Sequence, residues 1–200
     1  MTRLKLAVLI SGRGSNMEAL LKAAAAAPDF PAQPVLVLSN KPDAHGLTIA
    51  GAMGVETVAI DHRTFGKDRE AFEFHMDGAL RGAGAEIIAL AGFMRVLTPW
   101  FVKRWEGRMI NIHPSLLPKY KGLDTHQRAI EAGDTEAGCT VHWVSAGVDE
   151  GEIIAQASVP ILPGDTADTL AARTLPAEHK LYPEALKLAC KTITEKLAHG

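Results

Sequence analysis

The sequence predicts an α/β fold: a doubly wound, mostly parallel sheet with helices on both faces and a C-terminal antiparallel strand pair. Short β-type runs alternate with helical patterns along most of the chain, which is typical of βαβ units with right-handed crossovers. These runs are mostly apolar on both faces, as in parallel strands covered by helices. Towards the C-terminus, two such runs are separated only by a short glycine-containing loop, and that spacing favours an antiparallel pair.

Hydrophobic periodicity gives the individual elements in order. The predicted parallel strands span residues 4–10, 35–38, 56–60, 86–91 and 109–112, and the helices between them span 16–27, 45–53, 68–81 and 99–105. A short helix over 125–132 and antiparallel strands over 139–144 and 153–159 follow. Gly54 and Gly82 stand where left-handed residues end helices. Pro176 and Pro183 should break the final helix before its last piece, 184–197.

Composition limits the class of protein. A length of 200 residues favours a single domain that spans residues 1–200. The net charge of −2 gives no general attraction to nucleic acid or to an anionic membrane. No stretch approaches the roughly 20 apolar residues of a membrane span. Cys139 and Cys190 each lie in an apolar segment, as reduced core thiols do, so we expect a cytoplasmic protein.

A glycine-rich loop follows the first predicted strand and opens the first helix. Its residues are Gly12, Arg13, Gly14, Ser15 and Asn16. Backbone N–H groups at such a helix start converge on an anion, and a monophosphate is the ligand that we favour. A dinucleotide fits less well, because Met17 replaces the third glycine and Ser39-Asn40 replaces the acidic residue that would bind a ribose. A tight turn without a ligand remains an alternative.

The second candidate site lies where the fifth predicted strand ends in a proline-bracketed loop. Asn111 and His113 are two residues apart, so their side chains face the same way along a strand. An amide that stabilises an oxyanion and an imidazole that moves protons would form a catalytic pair there. Asp149, in the loop of the antiparallel pair, could orient the imidazole. No spacing of histidines or cysteines indicates a metal site.

At these residues the chain resembles the formyltransferase family that uses 10-formyltetrahydrofolate, over nearly its whole length. The likeness covers ISGRGSN at 10–16, LAGFMRVL at 90–97, NIHPSLLPKYKG at 111–122 and GCTVH at 138–142, together with Asp149 and Gln156. Two departures stand out. Asp124 replaces a histidine expected in some relatives, although His126 is kept, and Pro176 lies just before Glu178.

The resemblance implies a role for each motif. Asn111 would bind the formyl oxygen, His113 would assist the tetrahedral intermediate, and Asp149 would pair with that histidine or with a water molecule. The glycine loop would bind the phosphate of glycinamide ribonucleotide, and Glu178 would contact the same substrate near its glycinamide arm. The folate pocket would be formed by Met94, Arg95, Val96, Leu97, Ala146, Gly147 and Val148. A phosphate-binding half, about 1–100, would then precede a folate and catalytic half, about 101–200, and no metal would be needed.

Several related activities share the asparagine, histidine and aspartate. A transfer RNA formyltransferase would need a further C-terminal domain, and a formyltetrahydrofolate deformylase an N-terminal regulatory domain and no phosphate loop. The length of the chain and its glycine-rich loop therefore favour formyl transfer to glycinamide ribonucleotide in purine biosynthesis. A non-catalytic nucleotide-binding module and a nicotinamide oxidoreductase are the alternatives from other classes. The sequence leaves a monomer and a homodimer equally open.

Overall fold

A seven-stranded sheet forms the centre of the computed structural model, which describes residues 3–199. Its strand order is β3-β2-β1-β4-β5-β6-β7. The strands are β1 (Leu4–Ile10), β2 (Ala32–Ser39), β3 (Thr57–Ala59), β4 (Ile87–Leu90), β5 (Met109–His113), β6 (Glu136–Trp143) and β7 (Ile153–Pro160). The first five strands run parallel, whereas β6 is antiparallel to both of its neighbours. The predicted fold class is confirmed, and the antiparallel part also includes the pairing of β6 with β5.

Helices cover both faces of this sheet. They are α1 (Ser15–Ala26), α2 (His45–Ala52), α3 (Arg69–Gly82), α4 (Pro99–Arg104), α5 (Thr125–Glu131) and α6 (Ala167–His199), and a 3-10 turn spans His62–Phe65. Alternate residues of β1 enter two separate cores. Leu6 and Val8 pack with α1 and α6, while Ala7 and Leu9 pack with α3 and α4. This alternation is why β1 is apolar at nearly every position.

The final helix differs from the prediction. Pro176 and Pro183 lie inside α6, which is a single helix of 33 residues. Each proline removes one backbone hydrogen bond, but α6 is packed along its length against α1, β6 and β7. The Tyr182 hydroxyl, which is fully buried, also donates to the Leu90 carbonyl at 2.8 Å. Tertiary packing therefore maintains a helix that local propensity would interrupt.

One of the two predicted helix caps is wrong. Gly54 has the left-handed backbone expected of it, with φ of 78°. After α3, however, the left-handed residue is Gly84, with φ of 69°, and Gly82 is the last helical residue. The helix ends one residue later than predicted, and Gly84 supplies the left-handed conformation that was expected of Gly82.

The parallel strands β1, β4 and β5 end at the same edge of the sheet. The glycine loop follows β1, the Met94–Leu97 segment follows β4, and the proline-bracketed loop follows β5. Ligands of open α/β sheets bind at this edge, so the fold brings three predicted site segments to one place. Within residues 3–199, no helix is both long enough and apolar enough to cross a membrane.

Candidate active site

His113 is the last residue of β5, and Asn111 lies two residues before it. The neighbouring strand β6 adds a third polar side chain, His142. In the antiparallel register, Asn111 is directly opposite His142, and His113 is opposite Thr140. Both histidines are buried. Side chains of directly opposed residues point to the same face of a sheet, so His142 and Asn111 meet.

His142 fixes the orientation of the Asn111 amide. Its Nδ1 lies 2.9 Å from the Trp143 carbonyl oxygen, which can only accept, so Nδ1 carries the proton. Nε2 of the neutral ring is then an acceptor, and Asn111 Nδ2 donates to it over 3.3 Å. Burial lowers the pKa of His142, which keeps this ring neutral. The second hydrogen of the Asn111 amide remains for a ligand oxygen.

Asp149 lies between the two histidines. Its Oδ2 is 3.3 Å from His113 Nδ1, and its Oδ1 is 3.7 Å from His142 Nε2. Nε2 of His113 lies 2.8 Å from the Tyr120 carbonyl oxygen. Both nitrogens of His113 therefore face acceptors, and only the imidazolium form can donate to both. The geometry suits a positive charge on His113 balanced by the Asp149 carboxylate, and we call Asn111, His113, His142 and Asp149 the polar cluster.

The hairpin loop between β6 and β7 positions Asp149 through an uncommon backbone conformation and a close backbone contact. Asp149 itself is left-handed, with φ of 52°, and its Oδ2 accepts from Gly122 N at 2.9 Å. At Gly151, a Cβ atom would lie 1.6 Å from the Trp143 carbonyl oxygen, so only glycine fits there. Local strain in this loop thus accompanies the delivery of a carboxylate to the polar cluster.

Hydroxyl groups fasten the loop that follows His113. The buried Thr140 Oγ1 donates to the Ser115 carbonyl at 2.7 Å and accepts from Leu117 N at 3.1 Å. Thr125 Oγ1, at the start of α5, donates to the Pro114 carbonyl at 2.6 Å. His126 lies in the same first turn, where burial followed by the charge of His113 lowers its pKa. The loop is therefore a fixed part of the site.

The glycine loop forms a pocket of about 190 Å³ with Ala91 and Gly92 after β4. Gly14 is left-handed, with φ of 72°, and a Cβ there would lie 2.8 Å from Met17 Cε and 3.0 Å from Gly46 Cα. Gly46 N, in the first turn of α2, also donates to the Gly12 carbonyl at 3.0 Å. The start of α2 therefore supports the loop from behind, a contact that the sequence analysis missed.

Asn16 connects this pocket to α6. Its Nδ2 donates to Glu178 Oε2 at 2.8 Å, so Glu178 lies beside the glycine loop although 162 residues separate the two. Burial raises the pKa of Glu178, and the Asn16 bond opposes the shift. A buried carboxylate that keeps one oxygen free can accept from a hydroxyl or amine of a ligand.

We expect the Glu178→Gln variant to fold. Its free energy of unfolding should depend on pH differently from that of the wild type. A carboxyl group with a raised pKa contributes stability that is complete below its unfolded pKa and is lost as pH rises through its folded pKa. The variant keeps an oxygen for Asn16 but has no charge to bury. Urea unfolding between pH 4.5 and 8 should therefore show the variant gaining stability relative to the wild type as pH rises. A constant difference would contradict a buried, titrating Glu178.

The predicted folate residues lie in two separate segments at this edge. Met94 and Val96 are 65% and 62% exposed, Leu97 packs against the core of α3 and α4, and the Arg95 guanidinium lies 5.9 Å from the centre of the Phe72 ring. Ala146, Gly147 and Val148 belong to the hairpin loop that carries Asp149, and Val148 is 53% exposed. Both segments present apolar side chains to solvent, which is expected of a surface that a flat apolar ligand covers.

No group of three His, Cys, Asp or Glu side chains within 3–199 is arranged to hold a metal ion. Within the polar cluster, Asn111 donates to His142, and His113 lies beside the Asp149 carboxylate. An amide hydrogen, an imidazole and a carboxylate at one point suit acyl transfer through a tetrahedral intermediate.

Comparison with known proteins assigns this combination of sheet and site to a class. The model of the formyl transferase family matches residues 4–186, and the chain belongs to that family of formyl-transferring enzymes. Phosphoribosylglycinamide formyltransferase of Haemophilus influenzae is 45% identical over 92% of this chain and 85% of that protein. The crystal structure of phosphoribosylglycinamide formyltransferase from Brucella melitensis has a TM-score of 0.89 at 52% identity, covering 94% of this chain and 96% of that one.

Another relative is much longer. The trifunctional purine biosynthetic protein adenosine-3 of Drosophila pseudoobscura pseudoobscura is 51% identical over 93% of this chain. The chain spans 14% of the length of that protein. The match therefore concerns one part of a multifunctional protein.

Proposed function

We propose that this protein transfers the formyl group of 10-formyltetrahydrofolate to the primary amine of glycinamide ribonucleotide, a step of purine biosynthesis. The observation that carries the proposal is the common location of an anion pocket and the polar cluster at one edge of the sheet. The anion pocket suits a substrate phosphate, and the polar cluster suits formyl transfer. The relatives that carry this activity in their names cover most of the chain.

In the proposed reaction, the substrate amine attacks the formyl carbon of the folate. The carbonyl electrons move to oxygen. This oxyanion accepts a hydrogen bond from the free Asn111 amide hydrogen and is stabilised by the positive charge on His113. The bond between the formyl carbon and N10 then breaks. N10 takes up a proton while the attacking amine loses one, and the His113–Asp149 pair assists this exchange. Fixed donors polarise the carbonyl, so the proposal needs no metal.

The glycine loop is proposed to bind the substrate phosphate, with Glu178 beside the glycinamide arm. The Met94–Leu97 segment and the loop of Ala146, Gly147 and Val148 are proposed to cover the folate. This places the phosphate site in the first half of the chain and most of the chemistry in the second. The buried, unpaired thiols of Cys139 and Cys190 support a reducing compartment, which we propose is the cytoplasm.

A direct test compares consumption of 10-formyltetrahydrofolate with glycinamide ribonucleotide, with the same compound lacking its phosphate, and with no acceptor. We expect fast turnover with the ribonucleotide, a much higher Michaelis constant without the phosphate, and negligible turnover without acceptor. Acceptor-independent turnover would indicate a deformylase and contradict the proposal. Equal use of both acceptors would contradict the phosphate site.

Gly14→Val should raise the Michaelis constant for glycinamide ribonucleotide by at least about tenfold and change that for the folate far less. A β-branched residue with positive φ is strained, and its Cβ would also displace Met17 or Gly46. Gly54→Val is the matched control, because Gly54 is also left-handed but no atom lies within 4 Å of its added Cβ. Equal effects on both Michaelis constants would show that the loop does not bind the phosphate.

A further inference from the structure

A buried hydroxyl joins the glycine loop to the segment after β4. Ser11 directly follows β1, precedes Gly12 and is 5% exposed. Its Oγ donates to Asn40 Oδ1 at 2.5 Å and accepts from the Met94 backbone N–H at 2.8 Å. The single hydroxyl hydrogen and one of its lone pairs are thereby used, in contacts that span 29 and 83 residues.

Asn40 anchors this hydroxyl from the opposite side. It directly follows β2 and is 1% exposed, and its backbone carbonyl lies 2.9 Å from His62 Nδ1 in the 3-10 turn after β3. The turn thus holds Asn40, Asn40 orients the Ser11 hydroxyl, and the hydroxyl holds Met94. A chain of polar contacts therefore runs from the 3-10 turn after β3 to the segment after β4.

The Met94–Leu97 segment depends on such anchors, because much of it does not pack into a core. The exposed Met94 and Val96 side chains contribute little to holding the backbone in place. Besides the packing of Leu97, two hydrogen bonds hold the backbone: the Met94 N–H donates to Ser11 Oγ, and the Arg69 guanidinium donates to the Val96 carbonyl. Ser11 thus sets the position of the segment at the end nearest the glycine loop.

We propose that Ser11 is a positioning residue that fixes the folate-binding segment relative to the phosphate-binding loop. This inference rests on the proposed function, because it assigns the two segments to the two substrates. Without the hydroxyl, the Met94 N–H loses its acceptor and the buried Asn40 Oδ1 loses its donor, so the segment must move to give both groups new partners. Folate should then bind more weakly even though Ser11 itself does not contact it.

The test compares Ser11→Ala with Ser39→Ala. Ser39 is a good control because it is fully buried at the end of the adjacent strand, and its hydroxyl bonds only to the backbone of Lys41, at 2.9 and 3.0 Å. Both variants lose one buried hydroxyl, so their melting temperatures should fall by similar amounts. Affinity for 10-formyltetrahydrofolate alone is measured by calorimetry, and both Michaelis constants are measured by turnover.

We expect Ser11→Ala to weaken folate binding and raise the folate Michaelis constant by about tenfold, with a smaller change in kcat. Ser39→Ala should leave both values close to those of the wild type. Equal folate affinities in the two variants would overturn the proposal and leave Ser11 a structural hydroxyl. Wild-type protein that consumes folate without the ribonucleotide would contradict the proposed function only, because calorimetry with folate alone still decides the role of Ser11. Wild-type protein that does not bind folate would overturn both.

Discussion

Asn111→Ala should lower kcat by about 10²–10³ while the protein stays folded. The Asn111 amide has one hydrogen committed to His142 Nε2, 3.3 Å away, and the other free for the oxyanion. Truncation removes that donor at the moment when charge develops on the formyl oxygen, so the loss should appear in kcat more than in either Michaelis constant. Steady-state kinetics with both substrates varied would measure it.

The matched control for Asn111 is Gln127→Ala. Gln127 is an exposed amide on α5 whose Nε2 donates to Glu131 Oε1 at 2.7 Å, away from the polar cluster. This variant should keep full turnover. Normal kcat in an Asn111→Ala protein whose melting temperature is unchanged would remove the amide from the mechanism.

Asp149→Asn should lower kcat by about 10² or more, the range in which a general acid–base pair contributes. The substitution keeps the shape of the side chain and an oxygen for Gly122 N, but it removes the negative charge that lies 3.3 Å from His113 Nδ1. His113 then faces an uncharged amide in place of a carboxylate, so the dependence of kcat on pH should differ between the two proteins. Measuring kcat from pH 5 to 9 in both proteins tests this.

Glu150→Gln provides the comparison for Asp149. Glu150 is the next residue in the same hairpin loop, and its carboxylate pairs with Lys121 Nζ at 3.1 Å in an exposed position. Its charge is screened by solvent, so the variant should keep the wild-type profile. A profile that is unchanged in Asp149→Asn as well would separate Asp149 from the chemistry of His113.

The sequence predicted the architecture well because its signals are local. Apolar strands such as Leu4–Ile10 and amphipathic helices such as Arg69–Gly82 are encoded by the periodicity of neighbouring residues. Interpretation of the last helix was wrong, because the local effect of Pro176 and Pro183 was given more weight than packing. The surfaces of β6, β7 and α1 that hold α6 together come from distant parts of the chain.

In the candidate site, too, local patterns could be recognised from the sequence, whereas contacts between distant residues could not. Asn111 and His113 could be recognised as a pair because two residues along a strand share a face. His142 was missed as a member, because its position opposite Asn111 depends on the pairing of β5 with β6 across about thirty intervening residues. Ser11 and Gly46 were missed for a similar reason, since their partners Met94 and Gly12 become neighbours only in the folded sheet.

The measurement that tests the central proposal most directly follows the formyl group itself. The protein is incubated with 10-formyltetrahydrofolate labelled with ¹³C in the formyl group and with glycinamide ribonucleotide, and the products are analysed by NMR. The account predicts that the label appears in the formamide carbon of the ribonucleotide in proportion to the tetrahydrofolate released, and that Asn111→Ala slows both equally. Label that appears as free formate, with the ribonucleotide unchanged, would contradict it.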